Sequence, residues 1–265
     1  MIRKLSLAVA AACLFAPVAV LAQAAPAPET DTKTQTILSH MPKQIVDCQV
    51  HDAAREGADA RLTQAAMALL TKHDVAALVR KLPDYQAAAA HAPDRPSLPE
   101  KCGTKLILFS DDMMDMLLAS ALTGKPETGI SSVEQRAPLP YARLDFVIGW
   151  TWFEQKALDK AAGWYERGLS NDPRDVLLAS EYANTLALLG RSAEALSFAD
   201  TFLAENDDLP EHAKAQMLRR RGYALGELGR HDEAIAAYQD SLKLDPDSDV
   251  AKKDIAWNQS KLGAH

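Results

Sequence analysis

The sequence predicts an all-α protein, built of antiparallel helix pairs that repeat along the chain and stack on one another, with an amino-terminal helical region before them. Three observations carry the prediction. A 34-residue pattern of small and large apolar residues ends at Ser248 and appears twice more upstream. Between the repeats and the amino terminus, apolar residues such as Leu62, Ala66, Leu69 and Leu70 return at helical spacing. Glycine and proline fall where turns and helix ends are needed, as at Gly229 and Pro246.

The first 24 residues join Arg3 and Lys4 to an apolar run from Leu5 to Ala22 and end in the triplet Ala22-Gln23-Ala24. This is the pattern of a secretory signal peptide, with cleavage expected after Ala24. A membrane anchor is the rival reading, but the run is near the minimum for a span and Pro17 interrupts it. Lipidation at Cys13 fits poorly, because Ala10 stands where such a signal wants leucine. The chain carries a net charge of −7, and removing the basic leader makes it more acidic still. An acidic surface argues against nucleic acid as a partner. No later stretch has the length of apolar sequence that a membrane span requires.

Residues 25–36 have almost nothing to bury and read as a flexible lead-in. The amino-terminal helical region is placed at residues 37–135. A helix is expected over residues 53–70, and Asp74 is expected to cap a short helix that gives way to another at Pro83. This hairpin-like series resembles a decayed repeat, although Lys72, Asp74 and Pro83 spoil the register. Pro93, Pro96 and Pro99 mark a loop. Residues 106–109 fit either a buried strand or a helix start, and Ser110 is read as the cap of a helix running to Gly124. Residues 125–140 form the boundary.

Numbered from Ala215 as position 1, the unit 215–248 has Gly222 at 8, Leu225 at 11, Gly229 at 15, Ala234 at 20, Tyr238 at 24, Leu242 at 28 and Pro246 at 32. Gly222 and Ala234 are small where two helices cross closely, while Tyr238 and Leu242 fill the seam between them. The unit 142–175 repeats this with Gly149, Trp152, Ala161, Tyr165, Leu169 and Pro173. The unit 176–209 has Ala183, Leu186, Gly190 and Ala195, but Ala199 stands in place of the aromatic and its stopping proline comes late, as Pro210. About five extra residues are assigned to the acidic loop around Asp207 and Asp208. Residues 249–263 read as a half repeat whose Ile255 and Trp257 pack inward and whose Lys252, Lys253 and Lys261 face water, as a capping helix requires.

The pattern and period resemble the tetratricopeptide repeat, over about residues 142–262. The resemblance implies a superhelix whose first helices line a concave groove, and hence a module that binds a protein or peptide and needs no cofactor or metal. It places groove-lining residues at Arg143, Phe146, Trp150, Phe153 and Glu154, at Asn184 and Leu188, and at Arg219 and Tyr223. Packing of Phe146 and Trp150 against the amino-terminal region, which would plug the groove, is the competing reading. The branch of the family that grips a carboxyl-terminal carboxylate uses positions occupied here by Phe146, Trp150, Glu181, Gln216 and Arg220. Only Arg220 suits that task, so an apolar or mixed peptide is the expected partner.

The candidate chemistry is sparse. Cys48 and Cys102 remain after leader removal, and in an oxidising compartment a disulfide between them is expected. The rival is a metal site from Cys48, His51, Asp52 and Cys102. Asp111, Asp112 and Asp115 match a short diphosphate-binding string. Acids in a helix's first turn explain them more simply, with Met113, Met114, Met116, Leu117 and Leu118 as core. His231 is read as a packing residue. An enzyme or small-ligand role in residues 37–135, with the repeats as a docking arm, is the alternative function. No hydrolase, zinc-protease or nucleotide-binding motif is present.

Overall fold

The computed structural model describes residues 45–111 and 113–263. The leader and lead-in fall outside them. Ten helices and four short strands follow in the order β1 (Val46–Asp47), α1 (Ala53–Thr71), α2 (Val75–Ala89), β2 (Glu100–Cys102), β3 (Lys105–Phe109), α3 (Met113–Ser120), β4 (Ser132–Arg136), α4 (Tyr141–Glu154), α5 (Leu158–Asn171), α6 (Val176–Leu188), α7 (Ser192–Glu205), α8 (Glu211–Glu227), α9 (His231–Leu244) and α10 (Asp249–Leu262).

From α4 onward the helices pair as the repeat register requires. A methyl group built on Gly149 would lie 2.6 Å from the ring of Tyr165, and one on Gly222 would lie 2.9 Å from Tyr238. Position 8 must therefore lack a side chain wherever position 24 carries a ring. The middle unit has no ring at position 24, and it is also the unit with a side chain at position 8, Ala183. Ala183 and Ala199 are both buried. Ala161, Ala195 and Ala234, at position 20 of the three units, are fully buried as well. Gly190 and Gly229 take positive φ in the turns between paired helices, a conformation that costs glycine little.

The backbones of successive first helices, α4, α6, α8 and α10, approach one another closely, whereas those of successive second helices, α5, α7 and α9, stand farther apart among the described residues. The stack therefore curves with its first helices on the inside. The five extra residues before the third unit are only partly loop. Pro210 stands at the amino end of α8 instead of stopping α7, and residues 211–214 add a turn to that helix. Asn206 is buried in the turn, and Arg174 holds Asp208 with two hydrogen bonds at 2.7 and 2.8 Å.

The amino-terminal pair α1–α2 sits on the array as a further hairpin, with both helices against α4. Asp52 caps α1 and Asp74 caps α2, each accepting from a backbone amide in the first turn. Contrary to expectation, α2 runs unbroken through Pro83. Pro83 removes one backbone donor, but Leu78, Leu82, Tyr85, Ala88 and Ala89 are buried in the core shared with α4, and that packing outweighs the local preference. Arg167 of α5 ties the hairpin down, donating to the carbonyl of Ala89 and, at 2.6 Å, to buried Asp145. The Ser97 amide donates to the carbonyl of Asn171 at the same corner.

The amino-terminal region also holds a four-stranded sheet in the order β1-β2-β3-β4. The pairs β1–β2 and β3–β4 are parallel, while β2 and β3 form a tight antiparallel hairpin. Residues 106–109 resolve as a strand. Leu106 and Leu108 pack with Ala119, Leu122 and Ile130 under α3. Met113 and Leu117, expected in the core, are instead exposed at 74% and 59%. The helix α3 is short and covers one end of a small sheet, so only the side carrying Met116 and Ala119 finds a partner. No helix among the described residues is long and apolar enough to cross a membrane.

Candidate binding groove

The inner surface of α4, α6, α8 and α10 carries the residues assigned to the groove, and the structure separates them into three kinds. Phe146 is 5% exposed and packs on Tyr165 at 6.1 Å between ring centres. It is a core residue and cannot meet a partner. The helix pair α1–α2 closes this end of the array, so position 5 of the first unit faces protein on both sides. Trp150 is half buried, with its ring 6.0 Å from that of His73 in the α1–α2 turn. Phe153 is also half buried, with the Lys156 ammonium 5.7 Å from its ring centre, while Arg143 is exposed.

Further along, Asn184 and Arg219 are engaged within the chain. Arg220 spans α6 and α8, donating to Ser180 at 2.8 Å, Glu181 at 3.1 Å and Asn184 at 3.3 Å. Arg219 donates to Asp245 at 2.9 Å. The arginine that alone suited a carboxylate grip is thus already neutralised by Glu181. Leu188, 46% exposed, and Tyr223, half buried, remain open on the inner surface.

The groove ends in a cavity of about 320 Å³ lined by Tyr223, Gly226, Glu227, Tyr238, Asp254, Trp257 and Asn258. Trp257, expected to pack inward, is 46% exposed and forms one wall, while Ile255 takes the core contact. Trp257 stands at position 9 of this half unit, on the side of α10 turned to the cavity. Ala256, at position 8, is exposed. A methyl group on Gly226 would lie 3.0 Å from Oδ1 of Asn258, which explains how α10 comes so near α8. His231 bonds Asn258 at 2.8 Å and meets Trp257 edge-on at 5.8 Å, the packing role expected of it. Burial raises the Tyr223 hydroxyl above its ordinary range, with the charges of Glu227 and Asp254 adding to the shift.

At the opposite end, the sulfurs of Cys48 and Cys102 are joined as expected. The bond extends the parallel β1–β2 register by one residue, and it consumes both thiols that a zinc set would need. Glu100, fully buried, accepts from the Gln49 amide at 3.1 Å and meets His51 at 2.9 Å. The other His51 nitrogen meets Glu56 at 2.7 Å. Burial opposes a charged ring, but the bonds to Glu56 and Glu100 outweigh it and raise the His51 pKa. Each ring nitrogen thus faces a carboxylate, and His51 ties β2 to the start of α1. Asp115 accepts from the Ser110 hydroxyl at 2.5 Å, and Asp112 falls outside the described residues.

Residues 215–248 match the tetratricopeptide repeat family. A 100-residue stretch is 30% identical to the small glutamine-rich tetratricopeptide repeat-containing protein 2 of Mycosarcoma maydis, covering 38% of this chain and 27% of that protein. The chain thus spans about a quarter of the relative's length. Among solved structures, the first such domain of Spaghetti (RPAP3), bound to the HSP90 peptide SRMEEVD, is 25% identical. That match covers 46% of this chain and 94% of the domain, with a TM-score of 0.41. The Sgt2 domain from Aspergillus fumigatus is 21% identical, over 48% of this chain and 82% of the domain, with a TM-score of 0.43. The protein is of the helical-hairpin repeat class. More particularly, it carries a tetratricopeptide-like repeat domain over part of its length.

Proposed function

We propose that the protein binds a peptide or another protein along the inner surface of its repeats, without catalysing a reaction, and that it does so after export from the cytoplasm. The observation that carries the reading is the row of partly open apolar and aromatic side chains on the inner helices: Trp150, Phe153, Leu188 and Tyr223. Aromatic anchors of this kind most often carry binding energy. The groove differs from one that grips a terminal carboxylate, because Arg220 is held by Glu181 and Phe146 is buried. A mixed or apolar segment suits it better. Export is supported by the leader pattern with Ala22-Gln23-Ala24 and by the bonded pair Cys48–Cys102, since disulfides persist in oxidising compartments. A Gram-negative periplasm is the compartment proposed.

The test is capture from periplasmic extract with the mature chain as bait. Leu188→Glu should abolish capture while leaving thermal unfolding within a degree or two, because Leu188 is exposed. Trp150→Ala should weaken it. Full capture by both variants would move the binding surface off the groove. Intact mass of the exported protein should begin at Ala25, and a stable full-length cytoplasmic chain would exclude export.

A further inference from the structure

We propose that the cavity at the carboxyl-terminal end of the groove is a subsite for a basic side chain, a lysine or arginine of a bound polypeptide segment. The inference rests on the groove reading above and names the chemistry of one part of it. Three walls are aromatic, from Tyr223, Tyr238 and Trp257, and two carboxylates, Glu227 and Asp254, stand among them. Neither carboxylate has an ion-pair partner within 4 Å among the described residues, although most arginines nearby are paired: Arg219 with Asp245, Arg220 with Glu181 and Arg221 with Asp200. Tyr238 is 1% exposed, and its hydroxyl, raised by burial, interacts with Asp254. Asp254, bonded to the Tyr238 hydroxyl, and Glu227 thus line the cavity beside aromatic faces with no cation paired to either among the described residues.

Aromatic faces attract cations, and a lysine or arginine stem is apolar while its head is charged. Such a side chain can lay its stem on Tyr223 and Trp257 and bring its head to Glu227 and Asp254. The chain supplies its own example: the Lys261 ammonium lies 5.0 Å from the Trp257 ring centre. Lys261 is exposed, one turn beyond Trp257, and does not line the cavity itself. A cavity of about 320 Å³ bordered by the groove residue Tyr223 suits a side chain arriving from an extended segment. A carboxylate or phosphate would meet two like charges there.

The experiment titrates the mature, disulfide-bonded chain with the blocked peptide Gly-Ser-Lys-Ser-Gly and with its norleucine counterpart. Binding is read from the Trp257 indole resonance in NMR spectra. The lysine peptide should bind at least fivefold more tightly than the norleucine peptide. Glu227→Gln combined with Asp254→Asn should erase that preference, and Lys261→Gln should strengthen it. Asp84→Asn with Asp94→Asn, remote and exposed, should leave it intact and so control for the overall acidity of the chain. Equal affinities for the two peptides, a preference that survives the cavity double variant, or one lost in the remote control would overturn the proposal. Binding of 1,5-diaminopentane as tight as that of the lysine peptide would also overturn it, by pointing to a free amine as the occupant. These results do not depend on the capture assay, so the subsite can fail while the groove stands.

Discussion

Gly149→Ala adds one methyl group where the repeat register leaves no room. The new Cβ would lie 2.6 and 2.7 Å from two ring carbons of Tyr165, against an ordinary carbon contact of about 3.5–4.0 Å. The ring must move by roughly 1 Å to restore that contact. It has little freedom to do so, being fully buried with Phe146 beside it. Overpacking of this kind costs about 1–3 kcal/mol, and a rigid buried ring argues for the upper end. Alanine regains about 1 kcal/mol over glycine within a helix, so the net loss should be about 2 kcal/mol. Gly163→Ala supplies the control, since that glycine is helical and exposed, with nothing within 4 Å of its built Cβ. It should stabilise by about 1 kcal/mol. In a Tyr165→Ala background, Gly149→Ala should also become stabilising by about 1 kcal/mol, giving a coupling near 3 kcal/mol. Urea unfolding followed by circular dichroism at 222 nm measures all four variants. If Gly149→Ala stabilises as much as Gly163→Ala, the close crossing of α4 and α5 is misassigned.

Two further outcomes are expected. Non-reducing peptide mapping should link Cys48 to Cys102, and replacing both by serine should lower stability by about 3–5 kcal/mol, because the bond closes a loop across a separation of 54 residues; two free thiols in the exported protein would refute it. Stability should fall as pH rises from about 5 to 8. Burial lifts Asp145 to about 7 against the opposing pull of Arg167 and Asn171, and His51 is also raised. The folded state therefore holds protons that the unfolded chain releases, and both contributions are lost as pH climbs through the folded pKa values. The depressed carboxylates, Glu134 at about 2 and Glu233, act only at lower pH. Thermal melts at pH 5.5 and 8 check the sign, and Asp145→Asn should flatten the dependence; a higher melting temperature at pH 8 would contradict it.

The repeats were legible in the sequence because each of their constraints is local. A glycine at position 8 and a tyrosine at position 24 meet within one helix pair, so their spacing along the chain records their contact in space. The cap at Asp74 and the turns at Gly190 and Gly229 are local in the same sense. Cysteine count sufficed to expect the Cys48–Cys102 pair, since Cys13 lies in the expected leader. The sheet escaped notice because β1 and β2 are brief strands separated by the whole α1–α2 hairpin, too short for alternation to show. Pro83 inside α2 followed from burial against α4, which local propensity does not record. The groove was decided at tertiary level too. The sequence assigned positions to an inner face, but α1–α2 buries Phe146, and internal acids hold Arg219 and Arg220. Trp257, read as core, is instead partly exposed as a wall of the terminal cavity. Accessibility depends on what packs against a position from elsewhere in the chain, and that information is absent from the repeat pattern itself.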